Sequence, residues 1–220
     1  MIRKTLFFLP LLLATAMAPI AMGGFEVTQA HALASVLIGD GPAILDEDWD
    51  LPLQVSAIAG GPQGIGSSTG ASFDLGYGFN GTANAQATSF APIAVLAAGT
   101  LMDFSFIVDS NVTASLSVEM LLCANGDAFG AVDLMLQDIT DNITLIDLHQ
   151  TQGSTSMTSA INLIEGHTYQ LIAQAEAGLT DEGTGLSSSS LSFQMLVPTP
   201  GALALLMIGG LTGRRRRRRR

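Results

Sequence analysis

The stretch VTASLSVEMLL, residues 112–122, alternates apolar and polar side chains along its length. Successive side chains of a β-strand point to opposite faces, so a period of two predicts a strand with one buried and one exposed face. Such strands are typical of antiparallel sheets. The predicted buried face consists of Val112, Ala114, Leu116, Val118, Met120 and Leu122. The predicted exposed face consists of Thr113, Ser115, Ser117 and Glu119.

Further segments repeat this alternation, and one of them predicts a hairpin. Their apolar positions are Ala71, Phe73, Leu75, Tyr77 and Phe79, then Met102, Phe104, Phe106 and Val108, then Leu191, Phe193 and Met195. In the segment 157–175, two alternating runs flank Gly166. A short turn that contains glycine between two such runs predicts a β-hairpin.

Eight to ten short strands at this spacing predict an antiparallel β-sandwich of the jelly-roll kind. The alternative is an α+β domain in which 27–38 and 130–139 are helices. Two stretches rich in Gly and Ser, 60–70 and 180–190, predict flexible loops. Neither stretch is long enough to divide the body of the chain, so we expect one acidic domain over residues 24–196.

The chain carries its positive charge only at its two ends. It has 220 residues, a formal net charge of −10, and no Lys or Arg between Thr5 and Gly213. Proteins bind phosphate backbones and anionic lipids through Lys and Arg, so the acidic body is not expected to bind nucleic acid or an anionic membrane. An acidic surface of one sign favours solubility and the binding of cations.

The first 23 residues have the three parts of a secretory signal peptide. Arg3 and Lys4 form a positive region, an apolar stretch follows over 6–18, and the small residues of 21–23 resemble a cleavage site. A retained anchor helix is the alternative. Export implies an oxidising compartment, yet Cys123 is the single cysteine. We therefore expect either a buried apolar thiol or a link to another chain.

The last residues of the chain combine a proline motif, a short apolar segment and a run of arginines. As a helix, the segment 201–213 would be about 20 Å long, which is short for a bilayer whose hydrocarbon core is about 30 Å thick. The arginines are expected to stay on the cytoplasmic side and to stop the chain in the membrane. They are Arg214, Arg215, Arg216, Arg217, Arg218, Arg219 and Arg220.

This tail, residues 197–220, resembles the PEP-CTERM sorting signal of bacterial surface proteins, a region also catalogued as the ice-binding protein C-terminal domain. The matching motif consists of Val197, Pro198, Thr199, Pro200 and Gly201, and the apolar segment and the basic end follow it. The resemblance includes the signal peptide but not the body. It implies processing by an exosortase-type membrane transpeptidase and transient membrane insertion through the tail. Thr199 stands where the family has Glu, which leaves the exosortase subtype open.

Three aspartates at every second position, Asp46, Asp48 and Asp50, form the candidate metal site of the sequence. In an extended strand the three carboxylates would share one side, and Ca²⁺ prefers several oxygen ligands of this kind. The EF-hand pattern is not met, because the glycine at its sixth position is missing. The spacing predicts a calcium site, and the alternative is a solvated acidic loop.

The sequence contains no pattern that indicates catalysis or another cofactor. His31, His149 and His167 lie far apart and lack metal-ligand spacing. Trp49, which lies among acidic residues, is either a ligand platform or a side chain packed under a loop. We therefore predict that the protein is not an enzyme.

Together these features predict an exported protein of the cell surface or extracellular matrix with a structural or interaction role. It crosses the inner membrane by its signal peptide and is delivered by its C-terminal sorting signal. The expected partners are an exosortase-type transpeptidase and an exopolysaccharide. The alternative function is a surface module that binds carbohydrate or calcium.

Overall fold

A computed structural model describes residues 20–22, 25–49, 51–74 and 78–197, and over these residues the predicted all-β fold is confirmed. They form strands and no helix. The strands are β1 (Ile20–Met22), β2 (Phe25–Ile38), β3 (Ile44–Asp48), β4 (Gln54–Gly61), β5 (Gly64–Asp74), β6 (Gly78–Val108), β7 (Val112–Gly126), β8 (Ala128–Asp138), β9 (Ile143–Gln150), β10 (Gly153–Leu163) and β11 (Thr168–Leu196). The predicted helix 201–213 and the predicted signal segment up to residue 19 lie outside the described residues.

The α+β alternative is wrong, because both of its expected helices belong to strands. Residues 27–38 lie in β2, and 130–138 lie in β8. A register shift between Val27 and Gln29 interrupts the period of two in β2, and buried alanines then recur at every second position from Ala30. Alanine favours a helix in isolation, but pairing with β6 and burial between two sheets override that preference.

Two strands, β6 and β11, are long enough to belong to two sheets. Up to Ser89, β6 pairs with β5 and with the C-terminal part of β11, and from Val95 onward it pairs with β2 and with the N-terminal part of β11. Sheet I has the order β4-β5-β6-β11-β7-β10. Sheet II has the order β3-β2-β6-β11-β8-β9, and β1 also pairs with β2. All pairs are antiparallel, and the two sheets pack face to face as the predicted sandwich.

The segment 180–190 is the corner of β11 and not the predicted loop. Register shifts lie between Thr180 and Gly183 and between Gly183 and Gly185, at the point where β11 passes from sheet II to sheet I. Gly185 has a φ of +155°, and a Cβ atom there would lie 2.3 Å from the carbonyl oxygen of Asn125. Glycine is therefore required for the backbone to change sheets while it stays paired.

The second predicted loop, 60–70, is mostly the end of β4 and the beginning of β5. The buried face of β5 carries only small side chains, namely Gly64, Gly66, Ser68, Gly70 and Ser72. A Cβ atom on Gly66 would lie 2.6 Å from Cγ1 of Val36 in β2. The small residues therefore let β5 of sheet I lie close against sheet II, and composition alone cannot distinguish this use of glycine from a loop.

The predicted buried face of the segment 71–79 is wrong within β5. Ser72 is fully buried and donates a hydrogen bond of 2.8 Å to the carbonyl oxygen of Asn80, whereas Ala71 is half-buried. Phe79 is buried as expected, but it belongs to β6. The side chains of Phe73, Leu75 and Tyr77 lie outside the described part of the protein.

The predicted hairpin at 157–175 is also wrong, because its two runs belong to different sheets. β10 pairs with β7 in sheet I, and the run that begins at Tyr169 pairs with β6 and β8 in sheet II. Gly166 does form a turn with a positive φ, but that turn carries the chain across the sandwich. A hairpin and a crossing between sheets have the same local sequence pattern.

The core is built from the alternating residues that the sequence indicated. Phe104 is 1% exposed, and its ring lies 5.2 Å from that of Phe79 and 6.0 Å from that of Phe193. Phe106 stacks on Tyr169 at 5.4 Å. The predicted buried positions of β7 are confirmed from Ala114 to Leu122, and Val112 at the strand end is half-buried.

Candidate functional site

The outer face of sheet I is a broad surface of uncharged polar side chains. Its outward positions from β4 to β10 are dominated by Ser, Thr, Asn and Gln, and Glu119 is the one charged residue among those whose side chains are described. The polar residues are Gln54, Ser56, Ser67, Thr69, Asn80, Thr82, Asn84, Gln86, Thr88, Ser188, Ser190, Ser192, Gln194, Thr113, Ser115, Ser117, Ser154, Ser156, Thr158 and Asn162, among others. We call this surface the neutral face.

Strand register arranges the neutral face into rows that cross the sheet. One row joins Thr69, Asn84 and Ser190 to Leu121 and Ser154, each the cross-strand partner of the one before. A second row joins Ala71, Thr82, Ser192, Glu119 and Ser156. Neighbouring strands lie about 4.8 Å apart and neighbouring rows about 6.8 Å apart, so donors and acceptors repeat in two directions.

Three shallow grooves lie on this face and adjoin one another. The largest two measure about 370 and 400 Å³, and both are lined by Glu119 and Ser192. A third of about 190 Å³ shares Ser190 with its neighbour. The shared lining residues make the grooves parts of one depression across the middle of sheet I.

The groove that contains Thr82 also contains an unpaired acceptor. Oδ1 of Asn80 is buried and has no hydrogen-bond partner within the described structure. Other polar groups of the neutral face bond to each other: Oγ of Ser190 donates to Oδ1 of Asn84 at 2.7 Å. A buried acceptor without a partner is costly, so Oδ1 of Asn80 is an unsatisfied polar group beside the groove.

The outer face of sheet II differs, because it carries titratable side chains. Burial raises the pKa of Asp103, although Nε2 of Gln170 donates to both of its carboxylate oxygens at 2.9 Å. Burial likewise raises the pKa of Glu176. A hydrogen bond with Asp133 raises the pKa of His149. Charge is thus concentrated on one outer face of the sandwich and nearly absent from the other.

One face of the Trp49 ring is covered by a histidine. This ring stacks on that of His31 with centroids 3.8 Å apart and an interplanar angle of 19°. Nε2 of His31 is buried, and no described group bonds to it. Burial lowers the pKa of His31, against the opposing effect of Glu47 and Asp103.

The aspartates of the predicted calcium site contact the edge of sheet I. Oδ2 of Asp46 accepts a hydrogen bond from the backbone N–H of Ser56 at 2.7 Å, and Oδ2 of Asp48 accepts one from that of Gln54 at 2.8 Å. Asp50 lies outside the described residues. These contacts assign two of the three carboxylates a structural role at β4, and calcium binding stays a prediction.

A second titratable cluster lies at one end of the sandwich and was not identified from the sequence. Asp138 is 4% exposed, and its Oδ2 lies 2.8 Å from Nδ1 of His167, while its Oδ1 accepts the backbone N–H of Asp141 at 3.1 Å. Burial acts to raise the pKa of Asp138, but these hydrogen bonds outweigh it and the pKa is lowered. Three ligand atoms within 4.8 Å could hold a metal ion. Their geometry equally closes two turns, and Asp138 and His167 are too far apart in sequence to form a motif.

The remaining predicted positions fall at the edge of the described structure or beyond it. Val197 is buried, and the other motif residues, Pro198 to Gly201, and the arginine run lie outside the described residues. Cys123 is exposed, so the expected buried thiol is wrong. Among residues with described structure, none forms a helix long and apolar enough to cross a membrane.

Comparisons with known proteins give little. No protein-family model matches the chain, and no curated protein matches it. Among solved structures, it is similar to one described as "Structure of infectious bursal disease virus Gx strain", with 11% identity and a TM-score of 0.29. The match covers 82% of this chain, and the chain spans 59% of that protein. At these values the likeness carries no argument about function.

Proposed function

We propose that the chain is an exported cell-surface or extracellular-matrix protein with a structural or interaction role and no catalytic activity. The signal-like N-terminus and the PEP-CTERM-like tail support export, delivery by sorting and recognition by an exosortase-type transpeptidase. The body between them contains no Lys or Arg, which supports passage of the whole sandwich to the outer side of the inner membrane.

We also infer that residues 78–197 form a jelly roll, to which β1 to β5 add further strands. The support is the strand order. Each half of β6 and of β11 counts as one strand. In chain order the eight strands then lie in sheets I, II, I, II, II, I, II and I. The first pairs with the eighth, the second with the seventh, the third with the sixth and the fourth with the fifth. The orders β6-β11-β7-β10 and β6-β11-β8-β9 are those of two interlocked Greek keys.

The observation that carries the interaction role is the neutral face. Hydroxyl and amide groups exchange hydrogen bonds with the hydroxyls of a sugar without requiring an opposite charge. A chain with a net charge of −10 repels anionic polymers, whereas an uncharged polysaccharide can lie across a face that has Glu119 as its one described charge. We therefore propose a neutral exopolysaccharide as the ligand of this face.

The central groove supplies the position of closest contact. The hydroxyls of Thr82 and Ser117 line this groove and can each donate a hydrogen bond to a sugar hydroxyl and accept one from it. Shallow grooves without an aromatic platform give weak binding per sugar. Affinity then depends on a long polymer that makes many contacts at once along the rows of the sheet.

Electrophoresis of the native chain through gels that contain a polysaccharide tests this proposal. We expect retardation by a neutral glucan but not by a polyuronate, and about tenfold weaker binding for the double substitution Thr82→Val and Ser117→Ala, which removes two hydroxyls. Thr144→Val on β9 of sheet II is the matched control and should bind like the unmodified chain. Equal retardation of all variants, or retardation by the polyuronate alone, would refute the neutral-face proposal.

A further inference from the structure

The sandwich has four sheet edges, and they differ in how they are protected. Sheet I ends at β4 and β10, and sheet II ends at β9 and at the side of β2 that carries β3 and β1. The outer side of an edge strand presents unpaired N–H and C=O groups that can pair with another chain. Proteins usually block such edges with charges, short strands, bulges or covering groups.

Three of the four edges carry such blocks. At β4, the carboxylates of Asp46 and Asp48 accept hydrogen bonds from the backbone N–H groups of Ser56 and Gln54, respectively, so these groups cannot pair with another chain. β3 is five residues long, and three of these are acidic. β9 pairs with β8 through a register shift and carries Asp147 and an ionic contact between its His149 and Asp133 of β8.

The fourth edge, β10, carries none of these blocks. Its 11 residues, GSTSMTSAINL, include no charged residue and no proline. They pair with β7 in unbroken register from Gly153 opposite Leu122 to Leu163 opposite Val112. Among the described strands, β7 is the only partner of β10, so an edge of about 37 Å is left without a described neighbour on its outer side.

We propose that β10 pairs antiparallel with β10 of a second copy of this chain. An antiparallel pair of identical strands obeys a two-fold axis, so one interface closes and yields a dimer without open ends. In the dimer the two copies of sheet I become one sheet of twice the width, and their neutral faces join. The proposal is independent of which ligand that face binds.

Charge explains why a second copy fits this edge. Two chains of net charge −10 repel each other, and approach is favourable only where acidic groups are absent. β10 is uncharged, and Glu119 is the one charged residue among its partners on β7. Glu119 lies opposite Ser156 and thus one strand behind the interface. The tail of the same chain fits less well, because Pro198 and Pro200 cannot donate to a strand ladder.

The two-fold axis determines which residues face each other across the dimer interface. If all of β10 is paired, Thr158 at its midpoint lies opposite Thr158 of the second copy, with Cα atoms about 4.5–5.5 Å apart. That separation suits a disulfide. Cys123 follows Leu122, the partner of Gly153, so the two native cysteines lie near opposite ends of the paired strands and cannot reach each other.

Sedimentation of the full chain in a mild detergent tests the dimer. The unmodified chain should be dimeric, and Thr158→Glu should raise the dissociation constant about fivefold or more, because two carboxylates then face each other across the axis. Thr158→Gln keeps the size without the charge and should stay dimeric. Thr82→Glu, which adds the same charge to the central strand β6 on the same face, should also stay dimeric. Melting curves of all variants establish that they remain folded.

Oxidative cross-linking supplies an independent measurement. The chain with Cys123→Ser and Thr158→Cys should form a disulfide-linked dimer, whereas Cys123→Ser with Thr82→Cys should not. A monomer at all concentrations would overturn the proposal. A dimer that Thr158→Glu leaves unchanged, or that cross-links equally well through residue 82, would place the contact elsewhere and would overturn it as well.

Discussion

Trp49 stacks on His31 with ring centroids 3.8 Å apart, and it is the only tryptophan in the chain. Its fluorescence therefore reports on one histidine. Because burial lowers the pKa of His31, we expect the emission to fall on acidification only below the ordinary histidine range near about 6.5, as the imidazolium quenches the indole. His31→Phe, which keeps a stacked ring, should abolish the transition.

The same lowered pKa predicts the sign of a stability change. Below the unfolded pKa of histidine, the unfolded chain binds a proton that folded His31 does not yet bind. As the pH decreases through this range, the free energy of unfolding therefore decreases, until the pH is below the folded pKa of His31. Urea unfolding at pH 8 and pH 5 should show a smaller loss for His31→Phe than for the unmodified chain. An identical loss in both would contradict this assignment.

Truncation of Phe104 should show that the aromatic cluster stabilises the sandwich. Phe104→Ala removes a fully buried ring between Phe79 and Phe193 and should lower the free energy of unfolding by about 3–5 kcal/mol. Phe90 is 64% exposed, so Phe90→Ala should change it by less than about 0.5 kcal/mol. Denaturant unfolding compares the two, and equal effects would mean that the core is elsewhere.

The close approach of the two sheets at β5 should make one glycine irreplaceable. Gly66→Ala places a methyl group 2.6 Å from Cγ1 of Val36 and should cost about 1–3 kcal/mol of stability. Gly61→Ala is the matched control, because nothing lies within 4 Å of a Cβ atom there. Thermal melts of the two variants should therefore differ, and a Gly66→Ala protein that melts like the control would refute the close contact.

Calcium binding at Asp46, Asp48 and Asp50 can be separated from the edge contact of the first two. Asparagine keeps a side-chain oxygen that can accept the N–H groups of Ser56 and Gln54, so the triple Asp→Asn variant should still fold. If the site binds Ca²⁺, millimolar Ca²⁺ should raise the Tm of the unmodified chain and not that of the variant. An equal shift of Tm in both proteins, or no shift in either, would contradict the prediction that calcium binds at this edge.

The fate of the tail decides the sorting hypothesis. We expect the mature protein to end near Pro198–Pro200 and to lack 201–220, because a membrane transpeptidase would act at the proline motif while the arginines hold the tail in the bilayer. Replacement of Arg214–Arg220 by serine should yield uncleaved chain. Mass spectrometry of protein extracted from the cell surface would show Arg220 in place if the tail is instead a permanent anchor.

The strands that could be predicted are those with a clean period of two. Leu116 and Phe193 were assigned to the core correctly because alternation depends only on the local chain. The same reasoning failed at Ser72, where a polar residue faces inward because glycines bring the sheets together. It also failed at Gly166, because the pairing partner of a strand is a property of the whole fold.

The candidate site was predictable only in part. The exposure of Ser117 follows from the alternation in β7, but the rows of the neutral face depend on a register across six strands that one sequence does not contain. The pairing of Asp138 with His167 joins residues 29 positions apart and leaves no local signal. Asp46 and Asp48 were predicted as calcium ligands, and this stays a prediction; their observed contacts are with backbone N–H groups of β4.

The long strands β6 and β11 belong to both sheets, and this determines when the protein can complete its fold. Gly78 at the start of β6 pairs with Leu196 at the end of β11, so neither sheet is complete until the last strand is available. On the proposed export route the chain emerges with its N-terminus first, and β11 emerges immediately before the sorting tail. Folding would then coincide with arrival of the tail at the membrane, because both sheets can be completed only when β11 has emerged.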